Sequence, residues 1–121
     1  MTEDCLTETK IVAAHDMTAC RQWSLARGKA ALFTARCPDK ESSNEDSAML
    51  APWGEQAGIM AVADGLGGER AGGDASRLAL ELLAESIKGG LASGSLLRTA
   101  ILNGFEAANQ AVQAMGIGAA T

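Results

Sequence analysis

Three carboxylates and one glycine-rich segment carry the clearest chemistry in this sequence. An apolar run, Gly58-Ile59-Met60-Ala61-Val62-Ala63, ends on Asp64, and the nine residues from Gly65 to Gly73 that follow include five glycines. A carboxylate at the end of a buried strand is unfavourable to keep ionised without a partner, and a cation is one such partner. Asn44-Glu45-Asp46-Ser47 places two further carboxylates, Asp46 standing eighteen residues before Asp64, at the start of a segment able to pair with the strand that ends there. Hard divalent ions such as Mn2+ and Mg2+ take oxygen donors from carboxylates and backbone carbonyls. Asp64, the carbonyl of Gly65, and Glu45 or Asp46 make half of such a site. The same residues also read as an ordinary polar turn at 44–47 with Asp64 capping the turn after its strand, and spacing alone leaves both readings open.

Other chemistries fit less well. A dinucleotide-binding GxGxxG pattern beginning at Gly65 meets Arg70 where its last glycine belongs, and the Gly-Lys-Ser/Thr of a phosphate-binding Walker loop is missing. Cys5, Cys20 and Cys37 stand 15 and 17 residues apart with a single histidine, His15, which does not make a zinc site. They read as small tolerated residues, since nothing nearby is built to stabilise a thiolate. His15 lies beside the short apolar run 11–14 with no evident nucleophile to activate. With 15 acidic against 10 basic residues, a formal charge of −5 and no basic cluster, nucleic acid is excluded as a partner. No apolar run approaches the roughly 20 residues that span a bilayer, so no membrane partner is expected. The acidic start is unlike a secretory signal, and a cytoplasmic location follows.

The elements that must position these groups follow from patterning. At 121 residues and 47% apolar the chain supports one core. Residues 1–28 show no sustained period and read as an N-terminal extension or an added edge strand. Residues 29–35 read as a strand, 38–44 as a loop, 46–50 as a second short strand, 52–55 as a turn, and 58–63 as a strand buried on both faces. Apolar residues at three- and four-residue steps predict a helix over 74–88, stopped by Gly89-Gly90. A second helix over 95–115 carries the stripe Leu97, Ile101, Gly104, Phe105, Ala108, Val112 and Met115. The short connection makes the helices antiparallel neighbours. They are expected on the outer face of one sheet made by the three strands.

Taken in order, Asn44-Glu45-Asp46-Ser47, then Val62-Ala63-Asp64-Gly65-Leu66-Gly67-Gly68, then Gly72-x-x-Ala75-Ser76 and a long helix resemble the N-terminal motifs of the PPM-type (protein phosphatase 2C-like) metal-dependent serine/threonine phosphatases in their bacterial form. Gly116-Ile117-Gly118-Ala119-Ala120-Thr121 resembles that family's Gly-Met-Gly-Thr-Thr segment, which leads into a further strand. The resemblance runs from about Lys29 to Thr121, and its specificity lies in the sequence order of the motifs. It implies an α+β fold, an antiparallel β-sandwich flanked by helical pairs in α-β-β-α layers, of which 29–121 is the N-terminal part.

The resemblance also implies two Mn2+ or Mg2+ ions between the sheets. The position of Asp64 bridges both, the carbonyl of Gly65 binds one, and Glu45 and Asp46 contact or position metal-bound waters. Asp64 and Asp46 are the implied catalytic residues. The implied reaction is hydrolysis of phosphoserine or phosphothreonine in a protein by a metal-bridging hydroxide. The family's phosphate-gripping arginine, three residues before the asparagine, is replaced by Glu41, leaving Lys40 beside it and Arg36 further back as candidates. The family's later metal-binding aspartates follow the Gly-Met-Gly-Thr-Thr segment. The chain alone is therefore expected to be inactive, and a catalytically inactive binding or regulatory module of the same fold is the alternative. Without a covering second sheet, the apolar strand 58–63 is expected to self-associate.

Overall fold

The computed structural model describes residues 4–39, 41–66, 69–116 and 120–121. β3 (Arg21–Leu25) and β4 (Gly28–Leu32) form a tight hairpin that closes at Leu25↔Gly28. Its two turn residues, Ala26 and Arg27, sit at φ 53° and 65°, the left-handed pair whose twist matches that of the flanking strands. β1 (Asp4–Cys5) adds to β3 in parallel, giving a three-stranded sheet of order β1-β3-β4. The second sheet has the order β2-β5-β6, from β2 (Lys10–Ala13), β5 (Asp46–Trp53) and β6 (Ala57–Asp64), all antiparallel.

Period-two alternation on β5 builds both cores. Leu50 is buried with Trp23, Leu25, Ala30, Leu32 and Met17 between the two sheets. Its neighbours Met49 and Ala51 are buried on the opposite face, with Ile59 and Ala63 of β6 and Leu80, Leu83 and Ile87 of the first helix. α1 (Glu69–Ser93) and α2 (Leu97–Ala114) pack antiparallel on that outer face. The layers are thus sheet, sheet, helical pair, the α+β sandwich that the resemblance implies, with one helical pair present among the described residues. No described helix is long and apolar enough to cross a membrane.

Several sequence expectations need correction. The strand read at 29–35 is β4 and does not share a sheet with β5 and β6. Residues 21–25 pair with it, and the place beside β5 is taken by β2, from Lys10↔Leu50 to Ala13↔Ser47. The short strand at 46–50 runs on through Pro52 to Trp53, so the turn falls at 54–56, with Gly54 at φ +67°. Pro52 is tolerated because β2 stops at the level of Leu50, and β5 has no neighbour on that side beyond it.

β6 is covered on one face only. Ile59 and Ala63 are buried, whereas Met60 and Val62 are 73% and 79% exposed. α1 starts five residues before the position expected and continues through all four glycines assigned to turns, Gly72, Gly73, Gly89 and Gly90. Gly90 serves packing, since a Cβ there would come within 2.7 Å of the Ala100 Cβ on α2. The buried stripe of α2 is Ala100, Gly104, Ala108 and Val112; Leu97 and Ile101 are half-buried, and Phe105 is exposed. The lead-in to a further strand lies partly at 117–119, outside the described residues. Beyond them, Ala120 forms an antiparallel bridge with Leu66.

Candidate functional site

Asp46 is the first residue of β5 and Asp64 the last of β6, and the ladder sets them directly opposite each other. Opposed residues of an antiparallel pair project from the same face, with Cβ atoms about 4.5–5.5 Å apart. Neither strand contains a Lys or Arg to separate the two charges. The pair opens into a cleft of about 350 Å³ whose walls include Arg36, Asn44, Glu45, Asp46, Asp64 and Gly65. One cleft therefore gathers all the described members of the sequence-derived set. Lys40 lies outside the described residues.

Backbone contacts hold the cleft together. The Gly65 N–H donates to the Glu45 carbonyl at 3.1 Å, carrying the β5–β6 ladder one step past the carboxylates. Gly65 itself sits where a Cβ would overlap the Gly72 carbonyl and come within 2.6 Å of the Glu45 oxygen. Gly72, in the first turns of α1, is confined by a movable group instead, because a Cβ there would meet the side-chain Oε2 of Glu45 at 2.5 Å. The carboxylate of Glu45 therefore packs against α1. Among the described residues no three His, Cys, Asp or Glu side chains gather as a metal cluster.

Asn44 is 5% exposed, and its amide is fully engaged. Its Nδ2 donates to the His15 carbonyl at 2.9 Å and to Thr34 Oγ1 at 2.8 Å, and its Oδ1 accepts the Asp46 N–H at 3.0 Å. At about 1 kcal/mol for each satisfied bond, these contacts tie the segments after β2 and β4 to the start of β5. Both amide protons are used, so Asn44 frames the cleft and has no donor left for a ligand.

Arg36 is held differently. Its N–H donates to Asp16 Oδ1 at 2.7 Å, and its Nε lies 3.4 Å from Asp16 Oδ2, with the two side chains 48% and 46% exposed. A pair this exposed contributes less than about 1 kcal/mol, so an anion in the cleft can draw the guanidinium from Asp16 at little cost.

Two hydroxyls that stand in the motifs, those of Ser47 and Ser76, had no role assigned from the sequence. Ser47 and Ser76 are buried with their hydroxyls 2.8 Å apart, and Ser76 Oγ also donates to the Glu45 carbonyl at 2.7 Å. The available signal was a hydroxyl at a position where α1 otherwise turns Ala75, Ala79 and Leu80 inward. Cys5, Cys20 and Cys37 are free and exposed, and Cys37 lies in the wall of the cleft beside Arg36.

The profile of the family described as protein phosphatase 2C matches residues 35–117, well over half of the chain. The chain belongs to the protein phosphatase 2C family. The matched span covers β5, β6, α1 and α2 and includes Arg36, Lys40, Glu45, Asp46, Asp64 and Gly65. No curated protein and no solved structure matches the chain.

The protein phosphatase 2C family is generally metal-dependent. The donor chemistry of the cleft fits that dependence. Two opposed carboxylates with no basic residue in their strands favour a hard divalent cation between them, and the adjoining Gly65 peptide adds a carbonyl of the same chemical class.

Proposed function

We propose that this chain is a protein serine/threonine phosphatase domain in which Asp46 and Asp64 hold Mn2+ or Mg2+ and serve the hydrolysis of a phosphoserine or phosphothreonine ester. The observation that carries the reading is the Asp46↔Asp64 register, which puts two carboxylates opposite each other in a cleft that also contains Arg36. When bound, such an ion supplies Lewis-acid polarisation of the phosphoryl oxygens and a more acidic water. Asp46 and Asp64 would hold it, with the Gly65 carbonyl as a further donor. Arg36 would leave Asp16 to balance the phosphate charge. Glu45, turned toward Gly72, fixes the loop and leaves the opposed pair as the charged ligands. The three free thiols suit a cytoplasmic location.

A second reading, a catalytically inactive binding module, is favoured by the same cleft holding two gathered carboxylates where two-ion chemistry needs a larger ligand set, with ions roughly 3.5–4 Å apart. One experiment puts each reading at risk. Mn2+ binding to the chain is followed by loss of the free-ion EPR signal, beside phosphopeptide hydrolysis in the same buffer. The expected result is saturable Mn2+ binding with turnover barely above the Mn2+ blank. No binding at millimolar Mn2+ would remove the phosphatase reading, and rapid turnover would remove the inactive-module reading.

We also propose that the chain associates with a second copy of itself through β6. The Gly65 N–H points to β5, so the N–H of Leu66 points to the other edge, where it donates to the Ala120 carbonyl at 2.8 Å, and the Leu66 carbonyl accepts the Ala120 N–H at 3.0 Å. Along 57–64 that edge carries no Lys, Arg or Pro, the residues that usually blunt an exposed edge. Met60 and Val62 add an apolar surface beside a groove of about 550 Å³ bordered by Phe105 and Val112. In sedimentation velocity the chain is expected to show concentration-dependent dimerisation that Val62→Lys abolishes. A wild-type monomer at all concentrations refutes the interface.

A further inference from the structure

Ser76 touches both neighbours of Asp46 and not Asp46 itself. Its Oγ donates to the carbonyl of Glu45 at 2.7 Å and lies 2.8 Å from the hydroxyl of Ser47. Ser76 has one hydroxyl proton. With that proton on the Glu45 oxygen, the shorter of its two carbonyl contacts, the Ser47 hydroxyl donates into Ser76. The other contact, to the Gly73 carbonyl at 3.1 Å, is the local back-bond of a helical serine.

The Glu45 carbonyl that Ser76 grips is the same oxygen that accepts the Gly65 N–H at 3.1 Å. A single side chain of α1 thereby fixes the residue before Asp46, the residue after Asp46, and, through the shared carbonyl, the residue after Asp64. Ser76 is 0% exposed, so water does not compete for these bonds, and Gly65 and Gly72 let α1 close onto the strands without an intervening side chain.

We infer that Ser76 is a positioning residue: reaching from α1, it brackets Asp46 and sets the geometry in which Asp46 and Asp64 present their carboxylates to a cation. This rests on the metal-dependent reading above. The bracket itself is testable without metal.

The test compares the full chain with Ser76→Ala, with Ser47→Ala as a milder variant, and with Leu25→Ala as a core substitution at the far end of β6, where Leu25 packs on Gly58. Two measurements are made: amide hydrogen exchange of Gly65 against mid-strand amides such as Met49 and Ile59, and Mn2+ affinity by EPR. Ser76→Ala is expected to speed Gly65 exchange about tenfold relative to Met49, the factor carried by one buried hydrogen bond. It should weaken Mn2+ binding by about tenfold, the lower end of what outer-sphere partners of metal ligands contribute.

Ser47→Ala should produce a smaller change in the same direction. Leu25→Ala should lower Tm and leave both ratios within about twofold, since a remote cavity lowers stability without moving the site. Gly65 exchange rising no further in Ser76→Ala than in Leu25→Ala overturns the bracket, and Mn2+ affinity unchanged once Gly65 is freed, in a chain whose Mn2+ binding Asp64→Asn does weaken, overturns its positioning of the carboxylates. Should Ser76→Ala fail to fold, no response of Gly65 in Ser47→Ala overturns it equally. A freed Gly65 in a chain whose Mn2+ binding is indifferent to Asp64→Asn supports the bracket and overturns the metal reading alone.

Discussion

In the Asp64→Asn variant, Mn2+ affinity falls on the order of 100-fold, because affinity at oxygen sites is set largely by the count of charged ligands and half of the opposed carboxylate charge is lost. Asp46 then remains as one carboxylate opposite an amide. The same substitution acts in the opposite direction on the metal-free chain. Two like charges placed directly opposite on an antiparallel ladder are destabilising, and neutralising one returns about 0.2–1 kcal/mol. The variant is therefore expected to melt slightly higher than wild type without metal and to lose the rise in Tm that Mn2+ gives wild type.

Paired melts with and without Mn2+ show both effects. A variant that keeps its Mn2+-induced shift leaves Asp64 without a ligand role. In a domain that supplies the remaining ligands, Asp64→Asn should also remove most Mn2+-dependent hydrolysis of a phosphopeptide. An unchanged rate there overturns the assignment.

Gly65→Ala is expected to be the most damaging Gly→Ala change among the described residues. The position needs space and no special dihedral, since Gly65 is not among the residues at positive φ. Its added Cβ would fall on the Gly72 carbonyl and against the Glu45 oxygen, both backbone atoms with no rotamer to retreat into. Overpacking a well-ordered interior usually costs 1–3 kcal/mol by side-chain shifts. Here α1 must move off β5 and β6, so about 3 kcal/mol or more is expected, a large share of the roughly 5–15 kcal/mol that holds a native domain.

Chemical denaturation of Gly65→Ala beside Gly54→Ala separates the two possible origins of the effect. A Cβ at Gly54 meets nothing, but that residue sits at φ +67°, so its substitution reports only backbone strain. Gly65→Ala should exceed it clearly. Equal losses would show that the close approach of α1 to the cleft is not what stabilises the site.

The acidic residues, their order and the helical pair were legible in the sequence because each depends on short-range pattern. The apolar run that stops at Asp64 announces a strand with a carboxylate at its end, and stripes at three- and four-residue steps announce α1 and α2. Sheet membership was not legible. β4 and β5 both read as short apolar strands, and nothing local tells that β4 pairs back onto Trp23 and Leu25 while β2, from the aperiodic first residues, takes the place beside β5.

The glycines misled for a related reason. In sequence Gly72-Gly73 and Gly89-Gly90 look like helix breakers, yet the intrinsic penalty of about 1 kcal/mol per glycine is outweighed where the missing Cβ lets α1 meet Glu45, Gly65 and α2. Only the tertiary structure decided that Asp46 and Asp64 stand opposite each other while Glu45, one residue away, turns its carboxylate to α1. Adjacent residues at a strand start differ in direction by a backbone alternation whose phase is set by long-range pairing, here Asp46↔Asp64 and the Gly65 N–H on the Glu45 carbonyl.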